Sequence, residues 1–339
     1  MNIISKVEVR NFRSHGKYLL ELKNPTTLIV GENGSGKTSL IEALYIGLRG
    51  KSFRSSDKSI VKDRTSYYRV TVVFGDGKKR VVECADSKKS FKVDDKKYTR
   101  LPVKCKYPVV LFEPDDLSLI HASPSKRRRF LDVLISQLDE KYHRALIRYD
   151  KALKQRNKLL NEAGVGSDSL FAWNVILAQN GSYINQQRKE IVELVNSKIE
   201  SLYRSIAGNN DNVGVLYSTP TISESQYLHM LDSSLFKDKV LGCTNFGPHR
   251  EDLEFVFNNS SAADTASRGE VRSMVLSLKF IETKLIKELI GLDPVILLDD
   301  IFSELDNTRQ LRLVNNFKDH QVVITGVAAP VGMGEDIKL

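Results

Sequence analysis

The segment Gly31-Glu32-Asn33-Gly34-Ser35-Gly36-Lys37-Thr38 constrains this chain more than any other stretch of it. It fits the pattern G-x-x-x-x-G-K-[ST], follows the apolar run Thr27-Leu-Ile-Val30, and opens into the helix-like Ser39-Leu-Ile-Glu-Ala-Leu44. A strand, a glycine-rich turn and a helix in that order aim backbone N–H groups and a helix dipole at one point, which suits a phosphate. Lys37 is placed to neutralise β- and γ-phosphate charge and Thr38 to reach Mg²⁺. Gly31 to Ser39 therefore read as a nucleoside triphosphate site for ATP with Mg²⁺.

A metal–phosphate site also needs an acidic partner. Val295-Ile-Leu-Leu298-Asp299-Asp300 supplies an apolar strand ending in two carboxylates. Asp299 is expected to support Mg²⁺ through water, and Asp300 to act as general base or to orient water. The alternative, an acidic cap on a strand end, loses weight beside the glycine-rich loop. The gap of about 260 residues between the two motifs argues against a small-molecule kinase, where the acid follows sooner. Ser267-Arg-Gly269-Glu270 opens the helical pattern from Val271. It reads either as an ordinary capping box, with Glu270 at the third position, or as a segment offering Ser267 and the Gly269 amide to a γ-phosphate held by another subunit.

The remaining pattern is α/β. Ile3, Val7 and Val9 alternate with polar residues as in a strand, and residues 68–75 and 80–85 flank the turn pair Asp76-Gly77 as a hairpin that continues through Phe91-Lys-Val93 and Asp94-Asp95. From Ser125 to about 163, Leu131, Leu134, Leu138, Tyr142, Ala145, Tyr149, Ala152, Arg156 and Leu159 recur at three- and four-residue steps, predicting one coiled-coil-like helix. After the breaker at Gly164-Val-Gly166-Ser, a second such run passes through Leu170, Trp173, Leu177, Ile184, Arg188, Ile191, Val195, Lys198, Leu202 and Ile206. Two antiparallel arms of about 35 residues would reach roughly 50 Å. Short strands return at 213–219 and 252–258, so the helical lobe, 121–210, is read as an insertion in a discontinuous domain of 1–120 and 211–339. Tyr142, Tyr149 and Trp173 fall on the seams and are assigned to the core.

A formal charge of +9 favours a polyanionic partner, nucleic acid first. Lys126-Arg127-Arg128 could grip DNA or form a solvated face, and Lys51 and Arg54, like His249-Arg250, could meet DNA or a partner's nucleotide. The cysteines Cys84, Cys105 and Cys243 have no metal or dithiol spacing. The start, MNIISKVEVRNFRSH, lacks a secretory pattern and no run approaches about 18 apolar residues, which predicts a cytoplasmic protein with no membrane partner.

Several ordered motifs together resemble one family: Val9-Arg-Asn-Phe-Arg-Ser14, Gly31–Thr38, Lys51-Ser-Phe-Arg54, Phe112-Glu-Pro-Asp-Asp-Leu117, Ser123-Pro-Ser-Lys-Arg-Arg-Arg-Phe-Leu-Asp132, Gly247-Pro-His-Arg-Glu-Asp-Leu253 and Leu297-Leu-Asp-Asp-Ile-Phe-Ser-Glu-Leu-Asp306. The chain resembles the RecF family of bacterial recombination mediators over nearly its whole length. The resemblance implies an ABC-type ATPase head similar to those of SMC proteins, with the helical lobe inserted. It further implies ATP-driven homodimerisation, binding to double-stranded DNA near single-strand gaps, slow hydrolysis, and work with RecO and RecR in loading RecA, within DNA replication, repair, recombination and the SOS response at the nucleoid. By the same resemblance Asn11 and Arg13 lie beside the nucleotide, and Asp115 or Asp116 stands near a position where ABC heads carry glutamine. Arg268 stands where the family more often has glutamine, and Thr325 where such heads carry a switch histidine. The competing functions are an ATP-binding subunit of a membrane transporter and an ATP-sensing scaffold with negligible turnover.

Overall fold

The computed structural model describes residues 3–162, 166–217, 219–327 and 336–339. In chain order the first elements are β1 (Ile4–Phe12), β2 (His15–Glu21), β3 (Thr26–Val30), α1 (Lys37–Arg49), β4 (Tyr67–Phe74), β5 (Lys79–Ala85), β6 (Lys88–Val93), β7 (Lys96–Tyr98) and β8 (Val109–Phe112). Then come α2 (Pro124–Leu138), α3 (Glu140–Leu160), α4 (Ser167–Ala207), β9 (Val213–Tyr217), α5 (Glu224–Ser233), α6 (Leu235–Leu241), β10 (Leu253–Phe257), β11 (Ser260–Ser261), α7 (Ala262–Thr265) and α8 (Arg268–Ile290). The chain closes with β12 (Val295–Asp299), α9 (Asn307–Phe317), β13 (Val322–Gly326) and β14 (Asp336–Lys338).

Chain contacts divide the molecule into Met1–Leu117 with Glu282–Leu339, and Ser118–Ile281. The first unit holds an antiparallel sheet in the order β2-β1-β4-β5-β6-β7 and a parallel sheet in the order β14-β3-β13-β12-β8. The Asp76-Gly77 hairpin forms between β4 and β5, with Gly77 at φ 83°, and Asp94-Asp95 turns β6 into β7 with both residues at positive φ. Helix α1 packs on strands of both sheets, burying Leu40, Ile41, Leu44, Ile46 and Leu48 in one core with Val7, Val70, Val82, Leu297 and Val323. The buried Gln321 side chain joins the sheets, donating to Ile4 O (2.6 Å) and accepting from Ile4 N (2.7 Å). Arg80, also buried, donates to the α1 carbonyls of Gly47 (2.8 Å) and Leu48 (3.1 Å), placing a cation at the negative end of that helix.

In the second unit the single seam helix expected from 125 to 163 is two helices. Asp139 leaves helical geometry (φ −134°, ψ 115°) and caps α3 by accepting from Lys141 N, so α3 has 21 residues and a length of about 31 Å rather than 50 Å. Breaking the period shifts the buried positions. Ile135 and Leu160 are in the core, while Leu138 and Leu159 are half-buried. Helix α4, 41 residues long, packs along α3. Tyr142 and Tyr149 are buried and Trp173 is half-buried. Gly164 and Val165 of the expected breaker, and Ser218 of the expected strand, lie outside the described residues.

The sequence places the return to the first unit near 211, whereas the contacts place it at Glu282. Strands β9 and β10 account for the difference. β9 packs on α4, where Asn196 accepts from Val215 N (2.8 Å) and donates to Val215 O (2.7 Å). The motif Gly247–Leu253 is tied to the same helices: Arg188 on α4 bonds Asp132, Pro248 O and Glu251, and Arg127 on α2 bonds both Asp252 oxygens.

Candidate functional site

Parallel pairing sets Asp299 beside Thr325, Thr325 beside Ile29, and Gly326 beside Val30. The carboxyl ends of β12, β13 and β3 thus meet where the chain leaves β3 for the glycine-rich loop, the usual ligand position of an open parallel sheet. Gly31 N donates to Gly326 O (3.3 Å), fixing the loop to β13 as it starts. Gly34 (φ 86°) and Gly36 (φ 100°) take left-handed geometry, and a Cβ on Gly36 would come within 2.4 Å of His15 Nε2. His15 Nε2–H donates to Gly36 O (3.2 Å), so the turn after Asn11 and Arg13 rests on the loop.

Lys37, 7% exposed, donates to Gly31 O (2.7 Å) and Glu32 O (2.8 Å), which holds its ammonium under the loop. Thr38 Oγ1 donates to Asp299 Oδ1 (2.9 Å), and Thr325 Oγ1 donates to the same oxygen (2.8 Å). Asp300 N donates to both Thr325 Oγ1 (3.0 Å) and Thr325 O (3.2 Å). Asp300 has φ 50° and ψ 27°, a left-handed conformation uncommon for a residue with a side chain and concentrated at functional sites. Burial raises the Asp300 carboxyl above its ordinary value; Lys37 opposes that rise, and Asp299 and Glu304 add to it.

Among the described residues no three His, Cys, Asp or Glu side chains gather to hold a metal. One hydroxyl and one buried carboxylate instead suit a hard cation whose remaining ligands are water and phosphate oxygens, as Mg²⁺ takes them. Thr38 and Asp299 fit that ion.

The other expected residues lie as follows. Arg13 donates to both Glu42 oxygens (2.9 Å each) and to Ser59 O (2.7 Å). Arg54 also grips Glu42 (2.9 and 3.1 Å), and Lys51 is exposed nearby in sequence. Arg127 is paired with Asp252, Arg128 donates to Glu251 O (2.7 Å), and Lys126 donates to Ser118 Oγ (3.2 Å). Ser267 and Glu270 form the reciprocal cap at the start of α8: Ser267 N donates to Glu270 Oε2 (2.6 Å) and Glu270 N to Ser267 Oγ (3.4 Å). Asp116 Oδ2 accepts from Glu113 N (2.9 Å), capping its own turn. His249 bonds inward, with Nδ1 accepting from Tyr149 OH (2.7 Å) and Nε2 donating to Thr244 O (2.9 Å).

Sequence reading missed Glu42, His15 and the bonding of Thr325. Glu42 carried a signal, since it is the one charge in the apolar run Leu40–Ile46 yet is fully buried. His15 carried none, and Thr325, marked only as a departure at the switch position, gave no sign of its bonds, because both act through contacts distant in sequence.

Fold and site together define a P-loop ATPase. Residues 1–237 match the AAA ATPase domain family. Solved SMC head domains of Pyrococcus furiosus (TM-score 0.55, 16% identity, 97% of this chain and 90% of that one) and Pyrococcus yayanosii (0.56, 15%, 96% and 92%) share the fold. The chain is 32% identical to the DNA replication and repair protein RecF of Clostridium novyi over 338 residues, covering 95% of this chain and 92% of that protein, and 33% identical to RecF of Lachnospira eligens with the same coverage. The structure of the recombination mediator protein RecF-ATPrS in the RecFOR pathway superposes with a TM-score of 0.91 at 30% identity, covering 99% of this chain and 95% of that one. The chain belongs to the RecF family of DNA replication and repair ATPases.

Proposed function

We propose that this chain is an ATP-timed clamp on double-stranded DNA. Two copies close around two ATP molecules, each held between one copy's Gly31–Ser39 loop and the Ser267–Gly269 segment of the other. Closure favours duplex DNA beside a single-strand gap, hydrolysis is slow and depends on the dimer, and release hands the DNA to RecR and RecO for RecA loading. The observation that carries this reading is the bonded series Thr38–Asp299–Thr325–Asp300 at the end of the parallel strands. It joins a phosphate loop, an acid for a cation and a second acid in one place.

In this mechanism the loop amides and the α1 N-terminus bind the phosphates, and Lys37 swings its ammonium from the loop carbonyls onto them. Thr38 would hold Mg²⁺ directly and Asp299 would support it through water, and the ion would supply positive charge to the phosphates. Asp300 orients the attacking water and accepts its proton, an assignment that fits its raised carboxyl. Asn11 and Arg13 border the nucleotide from the turn that His15 rests on the loop. Lys51, Arg54 and Lys126–Arg128 are the cations proposed for phosphate contacts on DNA. The +9 charge supports a polyanionic partner.

The test is mass and duplex-DNA binding in solution at fixed salt, with ATP, ADP or neither, for the unaltered protein, Lys37→Met and Ser267→Arg. ATP alone should drive both dimer and DNA binding, and each substitution should abolish the dimer. A monomer that binds DNA equally well without ATP overturns the clamp. Release of phosphate by the dimer separates this reading from a scaffold that only senses ATP.

A further inference from the structure

The Thr325 hydroxyl lies between the two acids of the site, and its surroundings commit both of its hydrogen-bonding roles. The side chain is 0% exposed on β13, so it is closed off from a phosphate in the loop. Its single proton has one short, charged acceptor, Asp299 Oδ1 at 2.8 Å, while Leu298 O at 3.5 Å is too long to compete. Its lone pair receives Asp300 N–H at 3.0 Å. The bonds therefore run in one direction, from the Asp300 amide to Thr325 to the Asp299 carboxylate, which also receives the Thr38 hydroxyl.

Each end has a consequence. Asp299 is 6% exposed with two hydroxyl donors on one oxygen, which fixes the rotation of the carboxylate and turns the Thr38 proton inward, leaving the Thr38 lone pairs for a cation. Asp300 sits in a left-handed conformation that its own Cβ opposes, and it is clasped by its amide on Thr325 and by its carbonyl, which accepts from Ser303 Oγ (2.8 Å).

We propose that Thr325 is a positioning residue that sets the Asp299 carboxylate for the cation and the Asp300 backbone for water activation through one hydroxyl, in place of a side chain that touches phosphate itself. The inference rests on the ATPase reading above and adds to it which residue couples the two acids. Partners that orient metal ligands in this way change metal affinity or activity by about 10- to 100-fold when removed.

The experiment compares Thr325→Val, which keeps the shape and loses the hydroxyl, with Thr325→Ser, which keeps the hydroxyl. Thr325→Cys, a weaker donor of similar size, carries the test if the valine variant does not fold. Titration calorimetry of ATP with and without Mg²⁺ is read beside kcat and KM, and amide exchange is followed over 295–304. For Thr325→Val the expected results are unchanged ATP affinity without Mg²⁺, about 10-fold weaker binding with it, KM raised by a similar factor, kcat reduced about 10- to 100-fold, and faster exchange at Asp300. Thr325→Ser should restore all of these. In an Asp299→Asn background the effect of Thr325→Val on Mg²⁺-dependent binding should vanish, because the residue it acts through is gone. Equal Mg²⁺ dependence in Thr325→Val and the unaltered protein, or an effect that serine does not rescue, overturns the inference. Asp300→Asn is the control for the reading beneath it. If that variant loses turnover while Thr325→Val keeps it, only the Thr325 role falls; if Asp300→Asn turns over normally, the assignment of the base falls.

Discussion

Glu42 and Asp299 are two buried carboxylates in the same unit, and they are held in opposite ways. Glu42 is fully buried and receives Arg13, Arg54, Ser52 (2.6 Å) and Ser55 (2.7 Å). Its burial alone would raise the carboxyl, yet those donors overcome burial and hold it at about 2. Asp299 receives two neutral hydroxyls, and the nearby Lys37 ammonium is bonded to the loop carbonyls. A buried carboxylate already neutralised by guanidinium groups is structure, whereas one held in place by hydroxyls keeps its charge for a cation. The difference predicts which acid can be removed at the expense of stability and which at the expense of nucleotide chemistry.

The largest expected effect is on the loop. Lys37→Met should weaken ATP binding by at least about 100-fold, roughly 3 kcal/mol, as one charge-assisted contact to phosphate is lost. Its melting temperature without nucleotide should fall only slightly, since the two bonds lost are to carbonyls of Gly31 and Glu32, loop residues that are half-buried and exposed respectively. Asp299→Asn should follow the same pattern, with stability within about 1 kcal/mol and Mg²⁺-dependent ATP binding weakened about 10-fold or more. A melting curve beside calorimetry checks both, and a large loss of stability in Asp299→Asn would break the contrast.

Glu42→Gln should do the reverse, costing about 3 kcal/mol because two guanidinium groups lose their shared counter-charge. Denaturant unfolding reads this directly, and a stable variant with damaged turnover would make Glu42 part of the chemistry. Acid titration sharpens the same point. The unfolded Glu42 carboxyl titrates near 4.5 and the folded one at about 2, so its contribution is present above pH 4.5 and is lost as pH falls towards 2. His249 has a separate window. Burial pushes it down to about 4, helped by Arg250 and Arg128 and opposed by its bond to Thr244. The unfolded chain takes up that proton first, so stability from neutral His249 falls between about pH 6.5 and 4, by about 3 kcal/mol. The Glu42 contribution is therefore read below pH 4, where Glu42→Gln should flatten the curve and His249→Asn should not.

Strand, loop and helix around Gly31–Thr38 were legible because they are contiguous and their residue types admit few alternatives. The Asp76-Gly77 hairpin was legible for the same reason. The break at Asp139 was not, since an aspartate between two seam positions reads as a polar spacer until its side chain is seen accepting from Lys141 N. The extent of the second unit was hidden because short strands at 213–217 and 253–257 look the same whether they join a head or pack on a helix, and Asn196, which fixes β9 to α4, lies outside the seam. At the site, sequence supplied Thr38, Asp299 and Asp300 from motifs. It could not show that Thr325 bonds both acids, which depends on parallel pairing of β12 with β13. Nor could it show that Arg13 and Arg54 share one carboxylate.

That last point bears on the smallest predicted effect, which concerns DNA. A cation already committed to a carboxylate releases few counterions on binding phosphate, because its charge is in part neutralised beforehand. Along the first turns of α2, Arg127 holds both Asp252 oxygens (3.0 and 2.5 Å), while Lys126 donates to the Ser118 hydroxyl (3.2 Å). Lys126→Ala, at a proposed DNA contact, should lower the slope of log affinity against log salt by about 1. Arg127→Ala should lower that slope by less, because Asp252 already neutralises part of its charge, and destabilise by about 1 to 2 kcal/mol, since it strands Asp252. Duplex binding measured at several salt concentrations beside thermal unfolding distinguishes the two residues. Should Arg127→Ala flatten the slope in a protein of unchanged stability, its pairing with Asp252 gives way to phosphate on binding, and the rule drawn from Glu42 would stop at the surface of the second unit.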